Sequence, residues 1–304
     1  MNREFDLIVC GHFAIDRIKT AKAVETIVRL GGPPFYSAVA ASRLDAKVSV
    51  LSKVGCDFSK EFLELLTKEG TDVSFIKMVE NAKTTRFYIE YLDGKRKLKL
   101  EALGPKIYSE DIPTNVKAKA VHIASIANEI SPEIFSNVKR MGELVCLDPQ
   151  GYTRNFDEKG NVSLKLWKNE EILQQLTVFK SNIDEIMCIT GASNLYSAMK
   201  QMANYGVKVV IVTMGAEGTA LLFNGNFYKI PSFPVGRVVD PTGAGDVFIG
   251  AYLAEYVKGE EPVWCACVGS AAASFTIERT GLLRFGFKDE IYEKAAETYE
   301  KLSL

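Results

Sequence analysis

The sequence predicts an α/β fold built on a mostly parallel sheet with helices on both faces, and three observations predict it. Runs that are apolar along their full length recur at 7–10, 48–51, 121–124, 144–147, 178–180 and 207–213. Between many of them lie helix-like stretches at 35–44, 59–69, 132–141, 170–176 and 195–205. Strands without alternation are buried on both faces, and strands that alternate with helices are joined by parallel crossovers. The third observation is a glycine-rich loop, Asp240-Pro241-Thr242-Gly243-Ala244-Gly245, that runs straight into the helix-compatible stretch 246–254. Such junctions sit at the carboxyl ends of strands, where ligands of open α/β sheets collect.

With 304 residues the chain can bury a large core. Its 37 basic and 38 acidic residues leave almost no net charge, so there is no electrostatic footprint for nucleic acid or an anionic membrane surface. The chain enters the strand-like Phe5-Asp6-Leu7-Ile8-Val9-Cys10 at once, without a leader-like apolar region or a membrane-length span, and a cytoplasmic location is the expectation. Six cysteines form no C-x-x-C pair, and Cys10, Cys146 and Cys188 lie in apolar runs; buried thiols account for them. His12 and His122 are the two histidines, too few for a histidine-rich metal site, and His122 reads as structural.

Taken in order, the first strand leads to Asp16 and then to the mixed pattern of 15–30, which with 84–103 breaks the α/β rhythm. Alternation in Arg86-Phe87-Tyr88-Ile89-Glu90-Tyr91 and the turn pair Asp93-Gly94 predict antiparallel strands outside the main sheet. A small β lid over a cleft is the economical placement, with a surface hairpin as the competing one. No repeat or long linker interrupts the chain, which reads as one domain over 1–304 with a lid from about 12–31 and 84–105. From Asp246 onward the pattern is helical through 263–277 and 288–302.

At the loop 240–246 the first N–H groups of the following helix lack intrahelical partners, and the helix dipole adds partial positive charge. An anion is favoured there, with Gly243 and Gly245 allowing close backbone approach. Asp246 stands in the first turn, where it can take a proton from a hydroxyl attacking a phosphoryl group. A tight turn with a dipole-complementing aspartate explains the same residues less ambitiously.

Four further pieces join this loop: Gly11 to Asp16 as G-x-x-x-x-D, Gly31-Gly32 before a helix, Asn182 to Glu185 as N-x-x-E, and Thr213-Met214-Gly215-Ala216-Glu217-Gly218 as T-x-G-x-x-G. In this order and spacing the chain resembles the ribokinase-like, PfkB family of carbohydrate and nucleoside kinases over essentially its whole length. The resemblance implies a three-layer sandwich with a β lid, and ATP- and Mg²⁺-dependent phosphoryl transfer to a small polyol, sugar or nucleoside. It implies Asp246 as general base and Gly243, Ala244 and Gly245 as an anion hole, a sufficient minimal site because phosphoryl transfer depends on positioning and charge stabilisation. A raised pKa at Asp246 is not required. Asp16, Gly31, Gly32 and Ser37 fall at acceptor positions; Asn182, Glu185, Thr213, Gly215 and Gly218 fall at nucleotide positions. Glu185 would hold Mg²⁺ through its waters, and Asn182 can equally cap a helix.

Two departures bear on the acceptor. After the glycine pair stands Pro33-Pro34-Phe35-Tyr36-Ser37, where sugar kinases of the family commonly carry an asparagine. Asp148-Pro149-Gln150-Gly151-Tyr152-Thr153-Arg154 is similar to the element of members acting on inositol or related cyclic polyols, with Gln150 and Arg154 as candidate contacts or a solvated loop as the alternative. A nucleoside kinase would need an aromatic pocket, for which Phe13, Phe35, Tyr36, Phe87 and Tyr88 are available. A non-catalytic binding protein on the same fold is the reading from another class. The lid edges can pair in a homodimer. No P-loop, dinucleotide-binding glycine unit or G-x-S-x-G elbow is present. Arg279 and Arg284 have no assigned role.

Overall fold

A computed structural model describes residues 3–20, 26–92, 95–234, 236, 238 and 240–303. The chain forms β1 (Arg3–Cys10), β2 (Ala14–Thr20), β3 (Ile27–Gly31), α1 (Pro33–Ser42), β4 (Val48–Gly55), α2 (Lys60–Lys68), β5 (Thr71–Val79), β6 (Thr85–Leu92), β7 (Lys95–Ala102) and β8 (Val116–Ala124). It continues as α3 (Ile134–Met141), β9 (Gly142–Asp148), α4 (Gln150–Thr153), β10 (Arg154–Phe156), β11 (Val162–Leu164), α5 (Glu170–Leu173), β12 (Val178–Asn182), α6 (Ile183–Thr190), α7 (Leu195–Asn204) and β13 (Val209–Thr213). The last elements are β14 (Thr219–Phe223), β15 (Asn226–Ile230), α8 (Ala244–Tyr256), α9 (Pro262–Glu278) and α10 (Lys288–Ser303).

Nine of these strands make one sheet in the order β15-β14-β13-β12-β9-β8-β1-β4-β5. All neighbours from β13 to β5 pair in parallel, and β14 and β15 close one edge as antiparallel hairpins. Successive side chains alternate faces: Leu7, Val9, Val209 and Ile211 enter the core beneath α1, α8 and α9, while Ile8, Cys10, Val210 and Val212 enter the core beneath α3, α6 and α7. Both faces are therefore covered, as the unbroken apolar runs require.

The helices divide by pattern. In α8 every residue from Val247 to Glu255 is buried, and α9 is nearly as enclosed. A helix apolar around its whole circumference must be covered all round. This also explains why Cys265 and Cys267, two residues apart on α9, are both buried. All six cysteines are free. No described helix is long and apolar enough to cross a membrane.

A second sheet, in the order β3-β2-β6-β7, is built from the two segments that broke the rhythm. Its central pair corrects the all-antiparallel expectation, because β2 and β6 run parallel from Ala14↔Thr85 to Thr20↔Tyr91. The reason lies below: β1 and β5 point the same way in the main sheet, and β2 and β6 each follow one of them over the same rim. At that joint His12 is buried, with Nδ1 2.7 Å from Thr85 Oγ1 and Nε2 2.8 Å from the Pro105 carbonyl. The Asp93-Gly94 turn lies outside the described residues. Unforeseen elements are β5, the β14–β15 pair, α4, and the hairpin β10–β11, whose Gly160 carbonyl accepts from Leu100 N–H at 2.8 Å and so ties it to β7.

Helix α8 lies tight on α1 at Gly250, where an added Cβ would overlap the Ser37 backbone. Gly250→Ala is expected to lower the unfolding free energy by about 1–3 kcal/mol, read as a lower denaturant midpoint at an unchanged slope.

Candidate active site

The parallel strands end at one rim, and their last residues carry the polar groups. Across it Asp148 ends β9, Asn182 ends β12, and Thr213 ends β13 in register with Asn182. Above them stands the N-terminus of α8. Gly243 has φ 81, and a Cβ there would come within 2.6 Å of the Tyr36 ring, so the position admits only glycine. The Ala244 N–H donates to the Pro241 carbonyl at 3.2 Å, which leaves the N–H groups of Gly243, Gly245 and Asp246 as the candidate donors of the loop. Ala244, expected among those donors, is thereby corrected: its N–H is taken, and it faces a different cavity.

Two cavities meet at this loop. The first, of ≈ 250 Å³, is lined by Asp16, Gly32, Gln150, Arg154, Lys180, Glu185 and Asp246 among others. An apolar patch of Ala14, Phe87, Ile89 and Leu98 from the small sheet, with Ile126, interrupts a lining that Asn182, Thr213 and Thr242 otherwise keep polar. The second, of ≈ 230 Å³, runs past Gly215 and Gly218 and is walled by Phe233, Phe248, Ala273 and Ile277. Thr213, Pro241 and Gly245 line both, so the glycine-rich loop is the partition between a largely polar chamber and a largely apolar slot.

The chamber's electrostatics centre on a residue the sequence reading passed over. Lys180 is buried, its ammonium 2.6 Å from Asp148 Oδ2, and a Cβ on Gly245 would lie 3.0 Å from its Nζ. Burial opposes its charge, but Asp148, Asp246 and Glu185 together outweigh that and hold its pKa above the ordinary lysine value. Asp246 is half-buried, and desolvation pushes its pKa from 3.8 to about 7, against the pull of Lys180 and with the push of Asp148. Burial likewise raises Glu185, aided by Asp148. A visible signal existed: a lysine is the innermost residue of the apolar run Val178-Phe179-Lys180, and a charge there demands partners.

The other expected residues divide. Asp16 is 4% exposed and reaches the chamber because Gly31, on the paired strand, has no Cβ to overlap its carboxylate. Gly32 has φ 89 and starts α1. Gln150 and Arg154 line the chamber, with Arg154 also donating to the Ile126 carbonyl at 3.1 Å. Ser37 is corrected: it is fully buried, and its hydroxyl donates to the Asp246 carbonyl at 2.8 Å, in the α1–α8 seam rather than in the chamber wall. Asn182 caps α6, accepting from Glu185 N–H at 2.8 Å, while its own N–H donates to Glu185 Oε2 at 2.9 Å; it lines the chamber at the same time. Of the five candidate aromatics, Tyr36 and Phe87 reach the chamber, Phe13 and Phe35 belong to the core, and Tyr88 lines neither cavity. His122 is buried and held neutral, with a pKa lowered to about 4 chiefly by desolvation.

Among the described residues no three His, Cys, Asp or Glu side chains gather to cage a metal. Glu185, with one oxygen held by Asn182 and its carboxyl on the chamber, suits an ion such as Mg²⁺ that keeps its waters and binds chiefly to phosphate.

A model of the pfkB family carbohydrate kinases matches residues 4–285. A cytidine kinase from Thermococcus kodakarensis is 28% identical over 280 residues, 91% of this chain and 97% of that protein. A nucleoside kinase from Methanocaldococcus jannaschii is 28% identical over 296 residues, 92% of this chain and 93% of its own length. In structure, a pyrophosphate-dependent kinase of the ribokinase family, complexed with a pyrophosphate analog and myo-inositol, superposes with a TM-score of 0.79 at 21% identity, covering 94% of this chain and 99% of that one.

Because Asp246 binds its proton more tightly folded than unfolded, the parent loses stability as pH rises from 3.8 through about 7. Asp246→Asn removes that loss. Thermal melts across pH are expected to find the variant more stable than the parent above neutrality, with the difference closing towards the acid end.

Proposed function

The chain belongs to the pfkB family of carbohydrate kinases, a family of phosphotransferases with an alcohol group as acceptor, and from that premise we propose that it phosphorylates a hydroxyl of a nucleoside, with ATP as donor. The observation that carries the reading is the partition: one glycine-rich loop between a slot lined by Phe233 and Phe248 and a chamber lined by the Asp16 carboxylate. In the slot a flat base would pack against Phe233 and Phe248. The phosphates would then reach the loop, where Gly243 and Gly245 N–H groups, the α8 dipole and Lys180 meet their charge. An inorganic donor such as pyrophosphate makes no use of that slot.

In the chamber Asp16 would accept hydrogen bonds from the acceptor's hydroxyls, and the apolar patch of Phe87, Ile89, Leu98 and Ile126 would cover a part of it that carries none. A nucleoside has both parts, and the relatives named cytidine and nucleoside kinase support the same choice. A fully hydroxylated ring has only the first. The cyclic polyol stays as the second reading because Gln150 and Arg154 add polar groups beside the loop.

Asp246 removes the proton from the attacking hydroxyl, and its pKa of about 7 suits a base that works near neutrality. Lys180 keeps that pKa from rising further, and its ammonium, with the Gly243 and Gly245 N–H groups, faces the charge on the group in transfer. Mg²⁺, held through its waters by Glu185, would supply further neutralisation of the donor phosphates. The small sheet serves as the lid that excludes water, which otherwise competes as acceptor.

The test is ADP formation from Mg-ATP against nucleosides, hexoses and inositols, with pyrophosphate as an alternative donor. Nucleosides are expected to exceed the others in kcat/KM by about tenfold or more, with no turnover from pyrophosphate. Asp246→Asn is expected to cut kcat by about 10²–10⁴-fold with acceptor binding retained; a variant as fast as the parent sinks the mechanism, and preferred turnover of an inositol replaces the nucleoside with the polyol.

Turnover should also fall below pH about 7 as Asp246 takes up a proton. Lys180→Met is expected to move that acid limb upward, since the ammonium that lowers the Asp246 pKa is gone. An unmoved limb would show that Asp246 is not the titrating base.

A further inference from the structure

Arg284 lines neither cavity, yet it is 3% exposed and sits behind the loop that divides them. Its Nη2 donates to three carbonyl oxygens, those of Thr242 at 2.7 Å, Asp240 at 3.2 Å and Thr276 at 3.3 Å. Its Nη1 lies 3.7 Å from Asp240 Oδ2. The guanidinium carbon lies 5.2 Å from the centre of the Tyr36 ring, the same ring that leaves no room for a side chain at Gly243. Thr276 Oγ1 donates to the Arg284 carbonyl at 3.0 Å, which fixes the arginine's own backbone.

The consequence follows from peptide planarity. In a trans peptide the C=O and N–H point in opposite directions, so the Thr242 carbonyl held on Arg284 turns the Gly243 N–H away from it, towards the chamber that Gly243 lines. The Asp240 carbonyl is held on the same nitrogen, so both ends of the Asp240-Pro241-Thr242 turn are fixed by one planar cation. The side chain of Asp240 tightens the turn from within, its Oδ1 accepting from Thr242 N–H at 3.0 Å. A buried guanidinium is costly to desolvate unless its donors are met, and here two of the three carbonyls that meet Nη2 belong to this one turn.

We propose that Arg284 is the positioning residue of the anion hole: by holding the Thr242 and Asp240 carbonyls it orients the Gly243 N–H toward a phosphoryl oxygen it never touches itself. The proposal rests on the phosphoryl-transfer reading above, so its test includes a binding readout that needs no acceptor. The proteins are the parent, Arg284→Lys and Arg284→Ala, and the probes are inorganic sulfate, followed by calorimetry, and Mg-ATP turnover with the preferred acceptor. Lysine keeps the charge but lacks the planar fork, and serves also if the alanine variant fails to fold.

For Arg284→Lys, sulfate affinity and kcat are expected to fall together by about tenfold to hundredfold, with acceptor KM changed by less than about threefold. In Arg284→Ala, millimolar methylguanidinium should restore part of both, because it refills the space among the three carbonyls. Parent-like sulfate affinity and kcat in a folded Arg284→Lys protein overturn the proposal, and so does a folded Arg284→Ala protein whose loss methylguanidinium leaves untouched. A parent that binds no sulfate at all overturns the phosphate site itself, which separates the two failures.

Discussion

One buried ammonium sets the terms for the rest of the site. Lys180 lies under the α8 N-terminus with its charge on Asp148, and Asp246 and Glu185 are close enough to be felt by it. Three carboxyl groups, two of them buried, could not crowd round one point without a cation among them. Because Lys180 is present, Asp246 titrates near neutrality rather than far above it. Gly245 belongs to the same constraint, since a side chain there would crowd the ammonium out of its place.

The fold pays attention to this spot through packing. Helix α8 is enclosed along its length, and its first turn is fixed on three sides: by Tyr36 against Gly243, by the Ser37 hydroxyl on the Asp246 carbonyl, and by Arg284 on the turn that precedes it. A loop rich in glycine is free to move in isolation. Here its freedom is removed from outside, so the glycines contribute close approach without contributing disorder.

The sheet was legible because its strands are buried on both faces and so read as unbroken apolar runs. Among the elements that escaped, β5 and β15 at the sheet edges lack that mark and mix polar with apolar residues, whereas β14 carries the short apolar run Ala220-Leu221-Leu222-Phe223. The parallel pairing of β2 with β6 was illegible for another reason, since it depends on where two distant strands leave the main sheet. In the site, backbone motifs such as Gly243, Gly32 and Gly218 were visible as glycines, whereas Ser37 looked like a substrate contact and is a packing bond. Which way a side chain faces is settled by the register of neighbours, and spacing carries no record of it. Lys180 was the exception that could have been read, because a charge inside an apolar strand must be answered by something.

The hairpin β10–β11 shows how the labour of the molecule is divided. It begins at Arg154 on the chamber and ends against β7 of the small sheet, touching neither the loop at Gly243 nor the slot behind it. The chamber is thus walled in part by strands of the small sheet, while the glycine-rich loop leads into a helix buried from Val247 to Glu255. A lineage that begins with this architecture can change what it phosphorylates by drift in the outer strands, and keep the way it phosphorylates intact.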